Sequence, residues 1–286
     1  MTRSPQPRAV AQAFLDACLA ELDALKPGNV HRFSDGHNMT VADFVASAEA
    51  AAPSIGRKGL ALGERIRLAV EATRGAAGQN TNLGIILLCA PLAQAALAPR
   101  PGDLHGRLQR VLRGLTVADA REAYLAIREA RPGGLGTAPE HDVQAEPEVS
   151  LLEAMGAAET RDRIAWNYTH DFDDIFRLGL EWLARAEDHW GDRAWTAARV
   201  YLGFLAHVPD TLIERKFGER VAAQVREEAR PIESSLTECP SPEAMTAPLI
   251  AFDRALKERG LNPGTSADLT VATLFAHELS LLERTN

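Results

Sequence analysis

The spacing of apolar residues is helical along nearly the whole chain. Near its start, apolar residues recur about one turn apart, at Val10, Phe14, Cys18, Leu22 and Leu25. This spacing places them on one face of a helix, whereas a half-buried strand would alternate apolar and polar residues, and no segment does so convincingly. Aromatic residues make up only 6% of the chain, while alanine and leucine, which pack into helices with little entropy loss, are abundant. We therefore expect an all-α fold, a multi-helix bundle around a single core.

Helix-breaking and helix-capping residues predict the boundaries. The first helix ends at Lys26-Pro27-Gly28, and Thr40 with Asp43 has the spacing of a capping box that starts the second. Further helices are expected at about 59–73, from Asn80 onward, and at about 103–114, 117–130, 150–167, 171–190, 192–206, 210–229, 242–259 and 265–283.

Residues 131–149 differ from the rest of the chain because they hold three prolines and three glycines. We interpret them as a long loop within one helical domain that spans residues 1–286. A loop of this length is often a functional lid or a disordered segment. A boundary between two helical lobes, or a dimer contact in a homo-oligomer, is the alternative interpretation.

Charge and composition limit the choice of partners. The formal net charge of −8 argues against nucleic acid, which requires a basic surface, but it is compatible with a small phosphorylated substrate. The longest apolar run, 83–98, contains a proline and is too short to cross a bilayer, so we expect a buried helix and no membrane association. The absence of a C-x-x-C pair and of an apolar core in residues 1–8 favours a reducing, cytoplasmic location.

Five polar segments are candidates for a functional site, since the common nucleotide-binding and hydrolase motifs are absent. In the first, residues 21–39, Lys26 is suited to hold a phosphate and His37 to transfer a proton. The alternative is a solvated loop. In the second, residues 74–84, Asn80, Thr81 and Asn82 open the apolar helix, whose N-terminus suits a phosphate. The alternative there is simple capping by Asn80.

The other three segments are also ambiguous. In residues 210–218, Asp210 is either a Mg²⁺ ligand or an N-cap, and Arg215 either binds phosphate or belongs to a solvated face. In residues 262–268, small residues such as Ser266 permit close approach of a ligand, while Thr265 and Asp268 have capping-box spacing. Residues 170–174 hold one histidine and three aspartates, which is either a metal site or the acidic start of a helix.

Six motifs, taken in order, resemble those of the triphosphoribosyl-dephospho-CoA synthase family across about residues 20–280. They read KPGNVHRFSDGHNM, GQNTNLGIILLCAPLA, AYLAIREARPGGLG, LLEAMGAAETRDRIAWNY, DTLIER and NPGTSADLTVATLF. The resemblance implies an all-α fold and a reaction in which the ribose C1′ of ATP is transferred to the 2′-hydroxyl of 3′-dephospho-CoA with release of adenine. It also implies that Mg²⁺ enters with the triphosphate of ATP.

The same resemblance implies roles for individual residues. Asp210 and Asp268 are candidates for Mg²⁺ binding or for the general base, and His37 for the acid that protonates the leaving adenine. The residues expected to bind the nucleotide and its phosphates are Lys26, Asn80, Thr81, Asn82, Arg215 and Ser266.

The sequence also departs from the family pattern. Members typically read N-T-H-K-G where this chain has residues 80–84, so that Asn82 and Leu83 replace a histidine and a lysine. Leu212 replaces an asparagine, and His31 an aspartate. In these respects the chain is similar to a branch found in archaea and in bacteria with methanopterin-type carriers. Two alternatives follow: a related nucleotide-dependent transferase of one-carbon coenzyme biosynthesis, and a helical binding or assembly protein without catalysis.

Overall fold

The computed structural model describes residues 4–99 and 102–284, and these residues form helices and connecting loops without a β-sheet. The predicted all-α fold is therefore confirmed. A π-helical turn, Asp174–Gly179, leads into the ninth helix, and a 3-10 turn, Pro242–Met245, precedes the thirteenth. The helices are α1 (Pro7–Asp23), α2 (Val41–Gly56), α3 (Leu62–Ala77), α4 (Leu83–Leu97), α5 (Leu104–Arg113), α6 (Val117–Ala130), α7 (Leu151–Gly156), α8 (Arg163–Thr169), α9 (Leu180–Trp190), α10 (Arg193–His207), α11 (Thr211–Phe217), α12 (Glu219–Glu238), α13 (Thr246–Glu258) and α14 (Gly264–Arg284).

Local capping chemistry sets several helix starts. Thr40, Thr116 and Ser150 each accept a hydrogen bond from the backbone N–H three residues later, and the acidic side chain at that position accepts one from the cap in return. These reciprocal bonds satisfy N–H groups that a helix start leaves unpaired. The capping box predicted at Thr40 and the helix start predicted at Ser150 are confirmed.

Three predicted boundaries are wrong. The helix expected at 150–167 is two helices, since Asp162 starts α8 by accepting hydrogen bonds from Ile164 N and Ala165 N. The helix expected at 210–229 is divided at Gly218, whose φ of 89° lies outside the helical region. The helix expected at Gly59 begins at Leu62. The spacing of apolar residues does not reveal where one helix ends and the next begins, because the apolar face continues across the break.

The buried apolar residues form two clusters instead of the expected single core. The larger one surrounds α4, of which nearly every residue is buried, and includes residues of α1, α2, α3 and α14. The smaller one lies between α10, α12 and α13. The clusters adjoin along α10, where Val200 and Phe204 belong to the first cluster and Leu202 and Leu205 to the second. Among the described residues, no helix is both long and apolar enough to cross a membrane.

Arg65 is buried in α3 and satisfies the C-terminal end of α2. Its Nη1 donates hydrogen bonds to the carbonyl oxygens of Ser54, Ile55 and Arg57, at 3.2, 2.6 and 2.8 Å. Its Nε and Nη2 both donate to Gln94 Oε1. Burial lowers the pKa of Arg65 to about 10, so the guanidinium stays charged at the negative end of the α2 dipole.

We expect Arg65→Met to lower the free energy of unfolding by about 2–4 kcal/mol, because the change removes the hydrogen-bond donor of the Ile55 and Arg57 carbonyl oxygens and of Gln94 Oε1. Urea unfolding followed by circular dichroism measures this. Arg185→Met is the matched control, since Arg185 is exposed and forms a surface ion pair with Glu181 one turn away. That change is expected to stay within about 0.5 kcal/mol of the wild type. Equal effects of the two substitutions would contradict the capping role of Arg65.

Candidate active site

Segments that are far apart in the sequence meet around one cavity of about 220 Å³. Its walls come from the end of α1 and the loop after it, the first turn of α4, the 131–149 loop, the start of α8, α11 and the start of α14. Four of the five candidate segments, 21–39, 74–84, 210–218 and 262–268, therefore contribute to a single site. The side chains include carboxyl, amide and guanidinium groups, which suit a phosphorylated ligand.

The fifth segment, 170–174, lies away from this cavity. Asp171 accepts a hydrogen bond from Gln109, and Asp174 forms an ion pair with Arg163. No group of three or more histidine, cysteine or acidic side chains suited to a metal ion occurs among residues 4–99 and 102–284. The structure therefore favours the alternative that these side chains serve the fold.

The three polar residues at the start of α4 have different roles. Asn80 Oδ1 accepts a hydrogen bond from Leu83 N at 3.1 Å, which is the capping interpretation. Thr81 Oγ1 donates to Ser47 Oγ at 2.6 Å. Asn82 lines the cavity and is only 4% exposed, yet neither its Oδ1 nor its Nδ2 has a hydrogen-bond partner in the described chain. A buried amide without partners is costly, so Asn82 is positioned for a ligand that both donates and accepts.

Asp268 faces the first turn of α4. A Cβ atom added to Gly84 would lie 2.0 Å from Asp268 Oδ2, so the carboxyl group packs directly against the backbone of this glycine. Burial raises the pKa of Asp268 well above its usual range, and the nearby carboxylates of Asp210, Glu21 and Asp162 raise it further. The positive charge of Arg215 opposes these effects and is the smaller contribution. Asp268 therefore keeps its proton to a higher pH than an exposed aspartate does.

The predicted capping box of Thr265 and Asp268 does not form. Helix α14 begins at Gly264, so both residues lie inside it. Thr265 Oγ1 instead accepts a hydrogen bond from Leu212 N at 3.1 Å, which ties α14 to α11. The carboxyl group of Asp268 is consequently available to the cavity.

Cationic groups lie at one side of the cavity. Arg215 forms an ion pair with Asp162 through Nη1, while its Nε is buried and has no hydrogen-bond partner in the described chain. Lys216 is exposed at the rim, beside Gly133 of the 131–149 loop. One guanidinium group therefore keeps donor capacity for a ligand, and a second cation lies next to it.

Lys26 and His37 lie behind the walls of the cavity. Lys26 is fully buried and forms an ion pair with Glu21 and a hydrogen bond with Asn29 Oδ1 at 3.1 Å. Burial lowers the pKa of Lys26 and raises that of Glu21, so each requires the other as a partner. His37 Nε2 is hydrogen-bonded to the carbonyl oxygen of Gly28 at 2.8 Å. In this structure both residues support the loop, while Glu21 and Asn29 reach the cavity.

Asp210 and Ser266 also lie outside the cavity lining and bind each other. Asp210 Oδ2 accepts hydrogen bonds from Ser266 N and Ser266 Oγ, both at 2.9 Å, and its Oδ1 accepts one from Ile213 N at 3.2 Å. The carboxyl group thus joins the start of α11 to the start of α14. Burial raises the pKa of Asp210.

Asp162 was not among the candidates from the sequence, although it lies within a motif quoted for the resemblance. It caps α8, pairs with Arg215 and lines the cavity. The signal was an aspartate followed by a helical apolar pattern, which is a typical N-cap. The apolar pattern predicts one helix over 150–167 and so hides this helix start.

We expect Asp210→Asn to lower the free energy of unfolding by about 1–3 kcal/mol, since an amide group cannot accept all three hydrogen bonds. The measurement is urea unfolding at neutral pH. Activity is expected to fall because the contact between α11 and α14 loosens. It is expected to stay low when the Mg²⁺ concentration is raised. A stable variant whose activity is restored by added Mg²⁺ would identify Asp210 as a metal ligand instead.

The fold and the cavity together define a class: an all-helical protein with one cavity lined by carboxyl, amide and guanidinium groups. The chain matches the family model described as ATP:dephospho-CoA triphosphoribosyl transferase over residues 7–286. It belongs to this family, as the resemblance of the motifs predicts.

Two relatives illustrate the match. The chain is 40% identical over 102 residues to a protein of Albidiferax ferrireducens named probable 2-(5′′-triphosphoribosyl)-3′-dephosphocoenzyme-A synthase. The alignment covers 35% of this chain and 32% of that protein, about a third of the length of the curated relative. The fold resembles the crystal structure of a candidate triphosphoribosyl-dephospho-CoA synthase from Archaeoglobus fulgidus, with a TM-score of 0.63 and 24% identity. That comparison covers 84% of this chain and 98% of the other, and it supports the fold.

Proposed function

We propose that the protein transfers the triphosphoribosyl group of ATP to the 2′-hydroxyl of 3′-dephospho-CoA and releases adenine. The observation that carries the proposal is the composition of the cavity built by the family-matched segments. It combines the carboxyl group of Asp268, whose pKa is raised by burial, with the unpartnered amide of Asn82 and the partly unpaired guanidinium of Arg215. The family match favours this reaction over the two alternatives that the sequence left open.

The triphosphate is bound by positive groups on one side of the cavity. The first turn of α4 lines the cavity and presents the positive end of the helix dipole, and Arg215 and Lys216 add two cations. Mg²⁺ usually binds through one or two carboxylates together with substrate phosphates. The described cavity fits such a shared site, with the Glu21 side chain as the carboxylate that would hold Mg²⁺ together with the phosphates, and Mg²⁺ would neutralise phosphate charge. Binding the triphosphate in a fixed position holds C1′ of the ribose in the geometry that the transfer requires, which lowers the barrier to the reaction.

The leaving adenine is recognised by Asn82 and protonated by Asp268, which both line the cavity. An asparagine amide pairs through its donor and its acceptor with N6 and N7 of adenine, and Asn82 has both atoms available. As the bond from C1′ to the base breaks through an oxocarbenium-like state, Asp268 donates its proton to the base. This proposal gives Asp268, instead of His37, the role of the acid.

The remaining residues position the site. Lys26 supports Glu21, and Ser266 with Asp210 holds α14 against α11. His37 supports the loop after α1. A cytoplasmic location and a homo-oligomer remain predictions.

The direct test is incubation of the purified protein with ATP, 3′-dephospho-CoA and Mg²⁺, followed by liquid chromatography and mass spectrometry. We expect free adenine and a triphosphoribosyl conjugate in equal amounts. An acceptor analogue without the 2′-hydroxyl is expected to give neither. Adenine without conjugate would mean that water is the acceptor, and the absence of adenine with every acceptor would overturn the proposed reaction.

A further inference from the structure

A second cavity, of about 280 Å³, lies beside the first. It is enclosed by α6, the 131–149 loop, α7 and the start of α8. The two cavities share lining residues, which are Leu87, Ile127, Leu135, Asp162, Ile164 and Arg215. The ion pair of Asp162 and Arg215 therefore lies where the two cavities meet.

Apolar surface makes up a larger share of the lining of the second cavity than of the first. Leu151 and Met155 contribute to its lining, and both are buried. Two of its polar side chains are paired within the protein. Tyr124 Oη donates to the carbonyl oxygen of His141 at 2.7 Å, and the Asp142 carboxylate accepts from Ala138 N and Gln144 N at 2.6 and 2.8 Å. A flat apolar group fits such a space, whereas a triphosphate does not.

One cation at the rim, Arg161, makes no close ion pair within the described part of the chain. Arg161 is exposed and forms no ion pair with any residue in 4–99 or 102–284, although its charge contributes to the lowered pKa of Asp142, which lines the same cavity. Together with the apolar interior, it matches a flat ring that carries a phosphate group. This combination is the chemistry of a nucleotide.

The 131–149 loop is fixed as a wall of this cavity. Arg128 Nη1, on α6, donates to the carbonyl oxygen of Val143 at 2.7 Å. Tyr124, also on α6, holds the loop at His141 through the hydrogen bond described above. The proline- and glycine-rich segment therefore has an ordered position against α6. The cavity is built by specific contacts between the loop and the helix.

We propose that the second cavity is the acceptor site, which rests on the transferase function proposed above. The adenine ring of 3′-dephospho-CoA lies among the apolar residues, its diphosphate lies at Arg161, and its ribose 2′-hydroxyl reaches the ion pair of Asp162 and Arg215. ATP occupies the first cavity. The donor and the acceptor thus meet at Asp162.

The transfer step then uses two carboxyl groups. The acceptor oxygen forms a bond to C1′ of the ATP ribose while the bond from C1′ to the departing adenine breaks. Asp162 takes the proton of the attacking hydroxyl group, and Asp268 gives its proton to adenine. Both carboxyl groups return to their starting states by exchanging one proton each with solvent, so that atoms and charge balance.

The test fills the second cavity without touching the first. Ala158 and Ala154 line only the second cavity, whereas Ala157 lines neither. We expect Ala158→Leu and Ala154→Leu each to raise the Kd of 3′-dephospho-CoA about tenfold or more, a loss of roughly 1.4 kcal/mol. The Kd of ATP is expected to stay within a factor of about two. Isothermal titration calorimetry measures both constants, circular dichroism checks folding, and Ala157→Leu is the matched control.

Arg161→Gln tests the phosphate contact separately. We expect it to raise the KM for 3′-dephospho-CoA and to leave the KM for ATP unchanged. Pantetheine phosphate, which lacks the adenosine, is expected not to compete with the acceptor for the wild-type protein. Folded leucine variants that bind 3′-dephospho-CoA as tightly as the wild type, or competition by pantetheine phosphate alone, would overturn the acceptor site.

Failure of the proposed function has a different signature. If the wild type binds 3′-dephospho-CoA, and Ala158→Leu weakens that binding, but no adenine is released with ATP, the acceptor site stands and the transfer reaction fails. If adenine and conjugate form at wild-type KM values in both leucine variants, the reaction stands and the acceptor site fails.

Discussion

Replacement of Asp268 by asparagine is expected to remove most of the turnover while making the protein more stable at neutral pH. The loss of a positioned general acid lowers kcat by about 100- to 10,000-fold. The gain in stability follows because a carboxyl group that is buried near Asp210, Glu21 and Asp162 is costly to ionise, whereas an amide of the same shape carries no charge.

The pH dependence of this gain has a definite sign. The pKa of Asp268 is raised in the folded protein above its ordinary value of 3.8. The folded state therefore holds this proton more tightly than the unfolded state, and the stability that results is complete below pH 3.8. It is lost as the pH rises through the pKa of the folded state. The advantage of Asp268→Asn over the wild type is thus expected to grow from acid to neutral pH.

Two measurements check the prediction. Thermal unfolding between pH 4 and 8 gives the difference in Tm, at about 2–4 °C for each kcal/mol in a chain of this size. Wild-type kcat is expected to fall as the pH rises through the pKa of Asp268, because only the protonated carboxyl group donates. Asp188→Asn is the control, since Asp188 is exposed on α9 and lines none of the cavities described above. If Asp268→Asn retains full turnover while folded, Asp268 is not the acid.

The sequence predicts the helices better than it predicts which polar residues reach the cavity. Apolar periodicity and capping residues are local signals, and they identify the buried helix α4 and the capping box at Thr40. Four of the five candidate segments also meet in space, because polar residues at helix starts, next to glycines, are where a ligand approaches the backbone.

Tertiary packing determines whether a polar side chain faces the cavity or lies behind the residues that line it. Lys26 and Glu21 are five residues apart, and no local pattern states that the glutamate reaches the cavity while the lysine supports it from behind. Asp210 and Ser266 are 56 residues apart in the sequence, and their mutual hydrogen bonds use the groups that a metal or phosphate would otherwise require. The second cavity, too, depends on where a loop of irregular sequence docks on α6.

Substitution of Gly84, which lines the first cavity, is expected to have the second large effect on stability and activity. We expect Gly84→Ala to lower the free energy of unfolding by about 1–3 kcal/mol, because its Cβ would overlap Asp268 Oδ2 and would lie 2.7 Å from Ile164 Cδ1. Alanine otherwise favours a helix over glycine by about 1 kcal/mol, so a loss of stability has to come from the overlap. Displacing Asp268 by about 1 Å is expected to reduce kcat about 100-fold.

Gly75→Ala in α3 separates the overlap from helix propensity, since a Cβ atom there would meet nothing within 4 Å. This control is expected to gain up to about 1 kcal/mol and to keep full activity. Combining Gly84→Ala with Asp268→Ala tests the cause, because removing the carboxyl group removes its overlap with the new methyl group. We expect Gly84→Ala to cost less in that background, a coupling that urea unfolding of the four proteins in the cycle measures. Equal costs in both backgrounds would mean that Ile164, instead of Asp268, requires the glycine, and the close packing of the acid against α4 would lose its proposed role.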